Sequence, residues 1–144
     1  MTSISESESQ IKEIKRVYAG LETLYHAYFP KSDPSLIHDL LRRLQKNPGA
    51  TAPIYMVEVF TKRGVNPEAA KKYIFERTGM VPGVYENGTL FVTNQKLTLK
   101  MLKEISDSED VLEVAGDYTG NITARGPSHE HSDDCPLRNL DYAY

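Results

Sequence analysis

The amino-acid sequence predicts an α+β fold, a four-stranded sheet laid down in the order β-α-β-β-α-β behind a pair of N-terminal helices. Three observations carry that expectation. An apolar, β-branched run, Ile54 to Phe60, reads as a strand because Glu58 is its only charged residue. Two helix starts carry their own caps, Asn66-Pro67-Glu68 and Thr98. Between them, Asn87-Gly88 marks a tight hairpin that pairs Tyr85 with Leu90 and Val84 with Phe91.

Taken in order, residues 1–9 are rich in Ser and Glu and are predicted to be a disordered N-terminus. Residues 10–49 are predicted to form a helical hairpin. In its first helix Ile11, Ile14, Tyr18, Leu21, Tyr25 and Tyr28 recur at alternating steps of three and four, an a/d stripe suited to packing on its own domain or on a second copy. Pro30 stops that helix. Asp33-Pro34 starts the second, with Ile37, Leu40, Leu41 and Leu44 as its apolar face and Arg42, Arg43 and Lys46 near its negative end. Residues 50–122 are the predicted α+β domain. Its strand at 54–60 is followed by a helix at 67–78 that Gly79 ends, then by the hairpin. A helix at 98–106 follows, with Leu97 and Leu102 as a hydrophobic staple, and then a last strand over Val111–Val114. Residues 123–144 read as a flexible tail.

This element order is that of a ferredoxin-like βαββαβ sandwich. Strand alternation groups Ile54, Met56, Leu90, Val92, Leu112 and Val114 towards the two helices. It leaves Tyr55, Val57, Val59 and Phe91 on an opposite face too apolar for water. Those four are the expected interface residues, covered by the N-terminal helices or by a second copy. Two family resemblances touch the same stretch. Ile54 to Val59 and Asn87 to Val92 resemble the two sheet motifs of the RNA recognition motif family, which implies single-stranded RNA stacked on Tyr55 and Phe91. Arg63, in the loop after the first strand, and Asn94, on the third, resemble in position the arginine and asparagine of acylphosphatases. That likeness implies phosphate or carboxylate chemistry at a Lys62-Arg63 loop.

The loop also suggests anion binding without any family. Lys62, Arg63 and Asn66 precede a helix N-terminus, where backbone amides favour negative charge, and Asn94, which the acylphosphatase likeness adds, completes the expected set. In the tail, His129, His131 and Cys135 are the candidate metal ligands; the expectation is no cofactor, with weak zinc binding by the tail as the alternative. One cysteine allows no internal disulfide, and a net charge of −3 supplies no general attraction to nucleic acid or anionic membrane. No nucleophile motif and no glycine-rich nucleotide loop occurs. Residues 1–9 lack the basic and apolar regions of a secretion signal, which makes the cytoplasm the expected location. The resulting expectation is a non-catalytic homo-oligomer that binds a protein partner or a small anionic ligand, without nucleic acid or membrane. The alternatives are a small enzyme using the Lys62-Arg63 loop, and single-stranded RNA binding on the sheet face.

Overall fold

The computed structural model describes residues 4–49 and 51–120. Within them lie four α-helices and a four-stranded antiparallel sheet, an α+β arrangement. The chain divides into two compact units, Met1–Pro30 and Lys31–Tyr144.

The first unit is built on one helix, α1 (Ile4–Tyr28). It begins within the stretch predicted to be disordered. Glu6 lies in its first turn, where the positive end of the helix dipole favours a carboxylate. Thr23 Oγ1 donates back to Ala19 O (3.0 Å), and Phe29 N closes the last turn on Tyr25 O (2.7 Å).

The second unit opens with a short extended segment. Asp33 N donates to Val114 O and Val114 N to Lys31 O, both at 2.8 Å, so Ser32 and Val114 form a parallel bridge. Asp33 then caps α2 (Pro34–Lys46), its carboxylate accepting from Ser35 N at 2.9 Å. Leu36, Ile37 and Leu40 are the buried face of α2. This helix therefore belongs to the sheet's unit, although the sequence pattern joins it to the preceding helix as one hairpin.

Strand β1 (Ile54–Thr61) leads into α3 (Pro67–Thr78), β2 (Gly83–Tyr85), β3 (Leu90–Lys96), α4 (Leu99–Ser106) and β4 (Val111–Tyr118). Their order across the sheet is β2-β3-β1-β4. Asn66 caps α3 with bonds from Glu68 N (2.9 Å) and Ala69 N (3.3 Å), and Gly79 ends it at φ 75. Thr98 caps α4 by accepting from Met101 N. The hairpin pairs Val84 with Phe91 and Tyr85 with Leu90, as Asn87-Gly88 predicts. Asn87 (φ 56, ψ 36) and Gly88 (φ 84) turn the chain, and Thr89 N closes on Glu86 O.

Register sets the two sheet faces. Tyr55, Val57 and Val59 share a face with Phe91, Thr93, Gln95, Val114 and Tyr118. Met56, Phe60, Leu90, Val92 and Ala115 form a buried cluster on the other. Periodicity alone sends the helices to the Met56 face; the structure puts them on the Tyr55 face. Asp39 of α2 is bonded to Tyr55, Val59 and Thr61 line a cleft with Ala69, Ala70 and Ile74 of α3, and Tyr73 Oη ties α3 to Glu104 O of α4 (2.8 Å). Val114 also changes sides, because it pairs with Val59. β4 carries apolar residues at both parities, so its pattern does not choose a face, and its register with β1 shifts between Phe60 and Thr61.

Candidate functional site

Four polar and aromatic side chains converge where α2 crosses the ends of β1 and β4. Asp39 and Arg43 stand one turn apart on α2, and Arg43 Nε donates to Asp39 Oδ2 at 2.9 Å. Tyr55, fully buried beneath them, donates its hydroxyl to the same oxygen at 2.5 Å. Tyr118 sits opposite Tyr55 in the ladder, and their rings meet edge to face at 5.7 Å and 74°. The Arg43 guanidinium carbon lies 3.5 Å from the Tyr118 ring centroid, a cation–π contact. Beside this group opens a cleft of about 260 Å³, lined by Arg43, Asn47, the 51–54 segment and Tyr118 among others.

The electrostatics follow from this geometry. Burial alone would raise the Asp39 carboxyl, but the hydroxyl of Tyr55 and the charge of Arg43 outweigh it and hold the group below its ordinary range. Burial, and then the bond to the Asp39 carboxylate, push the Tyr55 phenol well above its ordinary range. The two bonds fix the Asp39 carboxylate and, through it, the orientation of Arg43. Asp39 neutralises much of the Arg43 charge, which weakens the cleft as an anion site.

The residues singled out from the sequence fall in separate places. Lys62 and Arg63 are exposed in the loop between β1 and α3, and the Asn66 carboxamide oxygen is occupied by its two capping bonds. Asn94 lies opposite Met56, while Leu90 lies opposite Phe60 at the loop end of β1. Four residues of strand, about 13 Å, therefore separate Asn94 from that end, and the two share neither of the clefts described here. Tyr55, Val57, Val59 and Phe91, the expected interface, are 0, 0, 2 and 0% exposed within one chain. The helices of their own unit pack on that face. His129, His131 and Cys135 lie outside the described residues. Among the described residues no group of three His, Cys, Asp or Glu is placed to hold a metal, and no helix is long and apolar enough to cross a membrane.

The apolar stripe of α1 meets a different fate. Ile11, Ile14, Tyr18 and Tyr28 are 51, 69, 60 and 63% exposed, and Tyr25 is the one buried residue of the helix. Ile4, seven residues before Ile11 and also exposed, extends the same heptad position by one repeat, and Val17 and Leu24 flank the stripe. The Asp39–Arg43 spacing is visible in the sequence, but its two tyrosine partners are not. Tyr118 joins them only because β4 continues four residues beyond Val114. No family model, curated protein or solved structure compared with the chain matches it.

Proposed function

We propose that this chain is a non-catalytic, self-associating module, built on a ferredoxin-like unit, whose second copy docks along α1. The observation that carries the reading is the exposed heptad stripe of that helix. Ile4, Ile11, Ile14, Tyr18 and Tyr28 stand at a and d positions on a 25-residue helix and remain more than half exposed, while Leu21 and Tyr25 between them are half-buried and buried. A stripe of this period is self-complementary, because an identical helix offers the same knobs and holes. Each such side chain gains roughly 1.5–3 kcal/mol when fully buried, which favours covering the stripe. The fold part of the proposal is supported by the strand order β2-β3-β1-β4, by antiparallel pairing throughout, and by helices in both crossovers.

Sedimentation of the full chain over a concentration series tests the assembly. The expected result is a dimer that dissociates on dilution, and a double variant, Ile14→Glu with Tyr18→Glu, that stays monomeric. Both side chains are exposed, so the substitutions leave the folded chain itself nearly as stable, within about 0.5 kcal/mol. A wild type that is monomeric throughout, or a double variant that keeps the dimer mass, overturns the reading.

A further inference from the structure

The helices α2, α3 and α4 all pack on the Tyr55 face of the sheet, yet the opposite face is just as dry. Met56, Glu58 and Phe60 on β1, Leu90 and Val92 on β3, and Ala115 on β4 are between 0 and 5% exposed. Register puts these six on one face, across three adjacent strands. Neighbouring strands shield the flanks of such side chains but not their tips, so burial this deep requires a second layer over the sheet. Among the described residues, no helix of this unit is left to make that layer. α1 buries a single residue of its own, Tyr25, whereas a helix laid across a sheet buries a stripe.

The chain continues for 24 residues beyond Gly120. β4 ends at Tyr118, and Thr119 N and Gly120 N both donate to Ile54 O at 3.1 Å, which fixes the departing chain beside the first residue of β1. Fully extended, such a segment reaches roughly 80 Å, while four strands span only about 14 Å from first to last, so its length is ample. Charge also fits. Glu58, Glu113 and Asp117 stand on this face against one paired-strand cation, Lys96. Arg125 is the first charged residue after Asp117. The larger apolar residues of the segment gather at its two ends, Ile122 and the run from Leu137 to Tyr144, in which Asp141 is the one acid. Glu130, Asp133 and Asp134 lie between those ends.

We propose that residues 121–144 are this second layer, the chain's own C-terminal segment folded back across the Met56 face. Ile122 and the terminal apolar run cover Met56, Phe60, Leu90 and Val92, and Arg125 is set among the carboxylates of the face. The acidic middle of the segment stays off a face that is itself acidic. The cover is intramolecular and does not use α1, so it stands or falls separately from self-association.

Nuclear Overhauser contacts between methyl groups of the isotopically labelled full chain test the proposal. Contacts are expected from Ile122, Leu137 and Leu140 to Met56, Leu90 and Val92. In an equimolar mixture of labelled and unlabelled chains, a spectrum filtered for contacts between chains should lack them. A nitroxide on Cys135, the only cysteine, should weaken the methyl signals of Met56, Leu90 and Val92 more than those of Leu102 and Ile105 on α4. Arg125→Glu should lose the Ile122 contacts, and Arg125→Lys should keep them. Absence of contacts between 121–144 and this face in the wild type overturns the proposal. So do contacts that appear between chains, which would make a second copy the cover, or contacts to Met56 and Val92 from Ile11 or Ile14 of α1. An Arg125→Glu chain that keeps the Ile122 contacts at full strength overturns the place given to Arg125.

Discussion

Replacing Tyr55 by phenylalanine removes one oxygen from the centre of the α2–sheet contact and nothing else. The ring is fully buried and keeps its edge contact with Tyr118 at 5.7 Å. Asp39 Oδ2 loses the Tyr55 hydroxyl and retains Arg43 Nε at 2.9 Å. A hydrogen bond to a charged group is worth about 1.5–3 kcal/mol net when buried. The Asp39 side chain is 38% exposed, so water replaces part of the lost bond, and the expected loss is about 1 kcal/mol. The chain has no tryptophan, which makes urea unfolding followed by circular dichroism the convenient assay. The pH dependence adds a second readout. The Asp39 carboxyl sits below its ordinary value when folded. Its stabilisation is therefore complete above the unfolded carboxyl value, near pH 4, and is lost as pH falls through the lower folded value. The Tyr55 phenol sits above its ordinary value when folded. That contribution is complete below the unfolded tyrosine value, near pH 10, and is lost as pH rises through the higher folded value. The wild-type advantage over Tyr55→Phe should thus form a plateau between these limits and shrink at both ends. A difference at neutral pH smaller than about 0.5 kcal/mol, the size of an ordinary surface change, would refute the assigned role of the hydroxyl. So would a difference that stays flat into strong alkali.

Two further substitutions test how the elements are held, in the same urea assay. Gly116→Ala would put a methyl carbon 2.6 Å from Met56 O and 3.5 Å from Leu36 Cδ1. The nearer atom is backbone and cannot swing aside, so the expected loss is about 1–3 kcal/mol, and an alanine variant as stable as wild type would mean β4 lies further from β1 than described. Asn66→Ala removes the acceptor for two amides at the start of α3. It should lose about 1 kcal/mol, and Asn66→Asp should recover most of it.

Where local chemistry decides structure, the sequence was a good guide. Asn66-Pro67 and Gly79 bound α3 because cap and stop depend on the residues themselves, and Asn87-Gly88 sets the hairpin register for the same reason. The start of α1 was harder to read. A run of Ser and Glu has the composition of a disordered segment, yet Glu is also a good helix former and suits a first turn. The end of β4 was obscured by Gly116 and Asp117, residues usually depleted from strands. The glycine is there because a side chain would strike Met56 O. That extension carries Tyr118, one of the four side chains grouped around Asp39 and Arg43. The helix-bearing face could not be read at all. Both faces of β1 are apolar, and which one receives α2, α3 and α4 depends on pairings between residues far apart in the chain.

The bridge between Ser32 and Val114 also bears on how sheets of this kind avoid growing. A free outer strand is a template on which another chain can add itself, edge to edge, towards a fibre. On the β4 side, both backbone polar groups of Val114 are already taken by Lys31 and Asp33, in the middle of the strand. On the opposite side, β2 offers three residues and follows directly on Pro82, whose ring nitrogen has no hydrogen to donate. An incoming strand therefore meets an occupied position at one margin and a short run at the other. Both features make edge-to-edge growth of the sheet less favourable, independently of what the exposed helix does at the other end of the sequence.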